Sequence, residues 1–138
     1  MAIKRFVSLG IMQAKNGQLI ISILIIIPVA ICYGILPDMA FPGLFHLRIE
    51  TTDLRHIFRA MMGLYLGMVI IWVIGVIKPR FWSVATITNI FFMGGLAAGR
   101  LISLVADGFP STVFFVGLIL EITLTLWGIR NLIKYGLT

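Results

Sequence analysis

Three ionisable residues lie inside long apolar segments: Arg59, Arg100 and Glu121. Charged side chains at membrane depth are rare and turn towards one another or towards a polar cavity, which makes them functional candidates. By the helical rise, Glu121 lies about 14 Å below Thr112 and Arg100 about 8 Å from the end of its segment. An isolated carboxylate near the bilayer midplane would take up a proton, whereas a neighbouring guanidinium would keep it ionised. The sequence therefore predicts an Arg100–Glu121 pair, with Arg59 as a second cation near the outer mouth.

Two interpretations of this intramembrane polar site are open. The pair could be a structural ion pair that fixes how the helices align. Alternatively, it could line a small polar cavity, open outward, that binds a headgroup, an ion or a proton. Asn89 lies eleven residues before Arg100 on the same helical face, and Thr125 shares a face with Glu121, so a polar stripe should face the bundle interior.

The elements that position these residues follow from the composition. The chain has 138 residues, of which 60% are hydrophobic and only 12% charged, against roughly 25% charged in a soluble domain. A transmembrane helix needs about 20 mostly apolar residues. Four segments qualify, and backbone hydrogen bonding in lipid makes them helices. We predict an all-α, integral membrane four-helix bundle that is a single membrane domain over residues 1–138, with spans at 19–36, 57–77, 81–105 and 112–133.

Basic residues predict the orientation, because cytoplasmic loops are rich in Lys and Arg. Seven of them fall on one side of the four predicted spans: Lys4, Arg5, Lys15, Lys78, Arg80, Arg130 and Lys134. We therefore expect a multi-pass protein of the bacterial cytoplasmic (inner) membrane with both termini in the cytoplasm. Apolar residues at helical spacing before residue 17 predict a short N-terminal interfacial helix, with a disordered basic tail as the alternative.

The sequence gives little support for other ligands. The net charge is +6, but the basic residues are scattered rather than clustered on one face, so no nucleic-acid partner is expected. His46, Glu50, Asp53 and His56 could share a helical face as metal ligands, but no metal-binding signature is present, and a solvated loop is the better interpretation. No metal and no cofactor is expected. The only cysteine, Cys32, cannot form an internal disulfide.

Glycine pairs at i, i+4 spacing predict helix packing. Gly63 and Gly67 lie in the second span, and Gly95 and Gly99 lie in the third. Such small-x-x-x-small patterns let helix backbones approach closely in lipid. We expect a tight hairpin between the second and third spans, with a dimer interface as the alternative.

Several motifs resemble the small bacterial membrane proteins grouped as domain of unknown function 4345 (DUF4345). These motifs are Arg59-Ala60-x-x-Gly63, then Arg80, then the run Gly94-Gly95-Leu96-Ala97-Ala98-Gly99-Arg100-Leu101-Ile102-Ser103, then Asp107-Gly108-x-Pro110-Ser111 and Glu121. The resemblance implies a compact four-helix membrane protein and no particular activity. It also favours Arg59, Arg100 and Glu121 as site residues, and the segment before Asn16 lies outside it.

Three functions remain open. The first is a non-enzymatic accessory or structural subunit of a larger membrane-protein complex, or a binder of a lipid or small hydrophobe. The second is a small proton-coupled transporter that uses Glu121. The third is a membrane enzyme acting on a lipid or isoprenoid; it ranks last, because a general base needs a pKa near the working pH and pairing with Arg100 opposes that. No catalytic motif is present, which favours a non-enzymatic role with no catalytic residue to assign.

Overall fold

The computed structural model describes the backbone of residues 2–35, 42–43 and 49–136, and the side chains of these residues from Ala14 onward. Within this part of the chain there are four long helices: α1 (Ala2–Gly34), α2 (Thr52–Ile77), α3 (Trp82–Ala106) and α4 (Thr112–Tyr135). A short 3-10 turn, Pro79–Phe81, joins α2 to α3. The predicted all-α four-helix architecture is confirmed.

The helix ends follow from local chemistry. Thr51 caps α2, because its hydroxyl accepts a hydrogen bond of 3.2 Å from the Leu54 backbone N–H. α2 ends before Pro79, which lacks the N–H that would continue the helix. The turn after α3 contains Gly108, which has a φ of 95°, a conformation that costs glycine little.

The N-terminal segment differs from the prediction of a separate interfacial helix. It is helical, but it continues without a break into the first span, so that α1 runs for 33 residues. A helix of that length extends about 50 Å, well beyond the hydrocarbon core of a bilayer. The part apolar enough to cross a membrane is Ala14–Gly34.

The helices alternate in direction and bring two sets of residues to opposite ends of the bundle. At one end the Lys15 ammonium lies 5.0 Å from the Trp82 ring centroid, and Trp82 contacts Tyr135 edge to face. We call this the basic end. The other end holds the start of α2 and the turn between α3 and α4, residues 107–111, and we call it the turn end.

Large apolar side chains cover the outside of the bundle. Phe91, Ile102 and Val105 are 77%, 69% and 90% exposed. Such a surface would associate in water but is stable in contact with acyl chains. With four helices long and apolar enough to span a bilayer, the chain is a multi-pass membrane protein.

Close helix packing uses other glycines than those predicted. Among the described residues nothing lies within 4 Å of a Cβ built at Gly63, Gly67, Gly95 or Gly99, so the expected tight hairpin through these positions does not form within the chain. The backbones approach most closely at Gly34, Gly75 and Gly128, where a Cβ would overlap Met62, Ala85 and Ile90. A role for the four exposed glycines between two chains stays a prediction.

Candidate functional site

An ion pair between α3 and α4 forms the centre of the candidate site. The Arg100 Nε atom lies 3.0 Å from Oε1 and 2.9 Å from Oε2 of Glu121. The Glu121 side chain is 9% exposed and that of Arg100 is 25% exposed. The helical rise places Arg100 and Glu121 about 6 Å apart in depth, a distance that an arginine side chain can span. The two residues thus meet as the sequence predicted.

Aromatic residues surround the Arg100 guanidinium. The Phe114 ring centroid lies 5.0 Å from Arg100 Cζ, a cation–π distance. Tyr33 from α1 borders the same space as Arg100. Tyr65 from α2 packs against Tyr33, with ring centroids 5.6 Å apart. All four helices therefore contribute to the surroundings of Arg100.

Sequence reasoning missed the two tyrosines. On the helical wheel Tyr65 lies away from the face of Arg59, which indicates a packing role, and Tyr33 lies in a span without any charge. Both are buried, at 3% for Tyr65 and 7% for Tyr33. A signal was available, because a buried tyrosine hydroxyl needs a polar partner, and few polar groups lie at this depth.

Two cavities meet at Arg100. One, of about 100 Å³, is lined by residues of all four helices, Glu121 among them. The other, of about 500 Å³, is a groove that runs along α3 to the turn end. We call it the α3 groove. The residues that line both cavities are Tyr33, Tyr65, Leu96, Arg100 and Phe114.

Small residues open the α3 groove. Gly95 and Gly99 form part of its wall, and both are exposed with open space where a Cβ would lie. Larger side chains at these positions would fill the space between α3 and α2. The motif predicted to close a helix–helix contact therefore leaves a cleft instead. The remaining lining is largely apolar, with Met61 from α2 and Leu118 from α4 on its walls.

The residues that build this site lie within one family match. The family model described as "Domain of unknown function (DUF4345)" matches residues 14–130. The chain belongs to this family. No curated protein and no solved structure is significantly similar to it. The DUF4345 match spans the ion pair, both tyrosines and the α3 groove, and it begins after Lys4 and Arg5.

Arg59 lies apart from the pair in this DUF4345 protein. It is exposed near the start of α2 and lines neither of the two cavities that contain Arg100. Its depth was predicted from the sequence, but depth does not fix the direction in which a helix presents a side chain. A role for Arg59 in the polar site stays a prediction.

A second buried polar cluster lies nearer the basic end. The Gln18 side-chain amide donates to Asn89 Oδ1, and the Ser22 hydroxyl lies 3.4 Å from the same oxygen. Gln18 also lies 3.4 Å from the Leu124 carbonyl, so the cluster links α1, α3 and α4. All three polar residues are fully buried. These contacts close the bundle at this end, whereas among the described residues a groove adjoins Arg100 on the side of the turn end.

The histidine-containing cluster falls partly outside the described residues. His46 lies outside the described residues. Within the described part of the chain, no group of three or more His, Cys, Asp or Glu side chains could hold a metal ion.

Proposed function

We propose that the protein binds an amphipathic molecule, a lipid or another small hydrophobe, in the half of the bilayer next to the turn end. The apolar part would occupy the α3 groove and the polar part would meet the Arg100–Glu121 pair. The observation that carries the proposal is the 500 Å³ groove with apolar walls that ends at a guanidinium.

The dimensions and chemistry of the groove support binding. Ligand pockets in proteins have volumes of about 300–1,000 Å³ and apolar walls with a few polar groups. Arg100 has five N–H donors, and Glu121 engages only the one on Nε. The terminal amino groups can therefore donate to a ligand while the ion pair stays intact. A pair with a structural role alone would not need an adjoining open groove.

Filling the groove tests the proposal. Gly99→Leu places a large side chain in it, and Gly63→Leu is the matched control on a glycine that is equally exposed but lines neither cavity. Leu has a higher helix propensity than Gly, so neither change should weaken its helix. Native mass spectrometry in mild detergent would measure adducts after addition of defined phospholipids and a long-chain isoprenoid alcohol.

We expect wild-type protein and Gly63→Leu to retain an adduct that Gly99→Leu loses at least in large part. Equal retention by all three proteins would refute the proposal, because any bound amphiphile would then lie elsewhere on the apolar surface.

The basic end is proposed to face the cytoplasm, in accordance with the positive-inside rule. In a Cys32→Ser background, Lys78→Cys and Ser111→Cys place single thiols at opposite ends of the bundle. A membrane-impermeant maleimide added to intact cells should label Ser111→Cys and not Lys78→Cys. The reverse pattern would overturn the orientation but would leave the groove unaffected.

A proton-coupled transporter remains the second candidate, since the Glu121 carboxylate borders a cavity in the membrane. Both of its oxygens are engaged by Arg100, which opposes a role as a freely exchanging proton carrier. The same engagement disfavours Glu121 as the general base of a lipid-modifying enzyme. An accessory role in a larger complex is compatible with amphiphile binding, and purification from native membranes in mild detergent would test it by recovering a larger assembly.

A further inference from the structure

Three polar side chains of different charge follow one another along the α3 groove. Arg100, Ser103 and Asp107 are spaced at i, i+3 and i+7, which places them on one face of the end of α3. All three line the groove. Over about 10 Å of helix the wall thus changes from a cation, through a hydroxyl, to an anion at the turn end.

Asp107 is not already neutralised within the described part of the chain. It is exposed at the C-terminal cap of α3, and no described residue forms an ion pair with its carboxylate. Its backbone N–H donates to the Ser103 carbonyl at 2.7 Å, which holds the cap in place and leaves the side chain outside the helix. A cationic group that enters the groove from the turn end meets this carboxylate first.

From this order of charges we infer that the amphiphile is a phospholipid with a zwitterionic phosphoethanolamine headgroup; the inference rests on the proposed function. In a leaflet the phosphate of such a lipid lies deeper than its ammonium group. In the groove the cation Arg100 is the deeper group and the anion Asp107 the shallower one. Each charge of the headgroup therefore lies opposite a side chain of the other sign. The phosphate would accept from the terminal amino groups of Arg100, and the ammonium would donate to Asp107.

Charge balance distinguishes this headgroup from the other common ones. An anionic phosphatidylglycerol headgroup would add a third negative charge to Glu121 and Asp107, whereas Arg100 has the one guanidinium among the described residues that line the two cavities. A phosphoethanolamine headgroup is neutral as a whole and adds an ammonium next to Asp107. A phosphocholine headgroup is also neutral, but its quaternary ammonium has no N–H to donate, so it would lose the hydrogen bond to the carboxylate.

The test is a competition among headgroups. Delipidated protein is mixed with equal amounts of phosphatidylethanolamine, phosphatidylcholine and phosphatidylglycerol that have identical acyl chains, and adducts are counted by native mass spectrometry. We expect phosphatidylethanolamine to bind best. Asp107→Asn should reduce its advantage over phosphatidylcholine roughly three- to fivefold, because the hydrogen bond from the ammonium to a charged carboxylate is replaced by a weaker one to a neutral amide oxygen. Asp53→Asn is the matched control, since Asp53 is also exposed at the turn end but lines neither cavity.

The outcomes separate this inference from the proposed function. Equal binding of the three lipids, preference for phosphatidylglycerol, or an unchanged preference in Asp107→Asn would overturn the inference. If Gly99→Leu still abolished the adducts in that case, binding in the groove would stand without headgroup selection. If Gly99→Leu had no effect, the proposed function itself would fall.

Discussion

Removing one member of the Arg100–Glu121 pair should destabilise the bundle through the charge that is left behind. Breaking a fully buried ion pair in this way costs about 3–5 kcal/mol. The Arg100 side chain is one quarter exposed and borders an open groove, so part of its charge is already solvated. We therefore expect Glu121→Met or Arg100→Met to lower the free energy of unfolding by about 2–3 kcal/mol.

The double variant distinguishes a pair that stabilises the fold from one kept for binding. With both charges replaced by Met no unpaired group remains, and such replacements are often neutral or stabilising. We expect a stability within about 1 kcal/mol of wild type, and hence a coupling energy of at least about 3 kcal/mol in the double-mutant cycle. The double variant should nevertheless lose the bound amphiphile, because the groove no longer has its guanidinium.

Reversible unfolding in mixed micelles gives the required free energies. Trp72 and Trp82 are buried, so their fluorescence reports on loss of the bundle. Arg59→Met is the matched control, an exposed arginine for which we expect a change below about 0.5 kcal/mol. Additive effects of the two single substitutions would refute the reasoning, since they would mean that Arg100 and Glu121 do not interact in the folded protein.

Three other predictions test the packing and the alternative function. Gly75→Ala should destabilise the protein by about 1–3 kcal/mol, because its Cβ would overlap Ala85. Gly67→Ala lies in open space on the same helix and should be neutral or stabilising by up to about 1 kcal/mol. Thermal unfolding in detergent compares the stabilities of the two variants. Gln18→Leu should cost about 1–3 kcal/mol, because it removes one donor to Asn89 Oδ1 and leaves that oxygen only the 3.4 Å contact with the Ser22 hydroxyl. Adding Asn89→Leu should recover part of that loss in the same assay. A pH gradient across liposomes should decay at the same rate with wild-type protein and Glu121→Gln; a slower decay in the variant would favour the proton-coupled transporter.

Much of the fold could be predicted because spans are set by the length of apolar runs. The Lys78-Pro79-Arg80 turn and the Asp107–Ser111 turn divide these runs, and the observed helices end at both of them. The first span was predicted to begin at residue 19, yet α1 begins at Ala2. A change from apolar to basic residues marks where a helix leaves the bilayer. The backbone can nevertheless remain helical both in lipid and in water.

The sequence predicted how deep the site residues lie in the bilayer, but not how each helix is rotated about its own axis. The helical rise placed Arg100 and Glu121 near each other, and electrostatics required them to pair. Arg59, predicted near the outer mouth, is exposed and lines neither cavity, because neighbouring helices determine which way α2 is rotated. Hydropathy gives no information on that rotation, so the tyrosines of the site were missed as well.

The glycine patterns indicated where helices could pack closely, but not where they do. The pair Gly95 and Gly99 permits either close helix packing or an open groove, and the side chains on the facing helix decide between them. Gly75 and Gly128 lie in no i, i+4 glycine pair, yet there the backbones do approach closely. A contact depends on both surfaces, and a motif describes only one of them.

A density map of the protein reconstituted in a lipid nanodisc would test the central claim most directly. We predict elongated density in the α3 groove, with its polar end within hydrogen-bonding distance of Arg100 and the ion pair to Glu121 intact. A groove closed by contact of α2 with Gly95 and Gly99, with no density beside Arg100, would contradict the account.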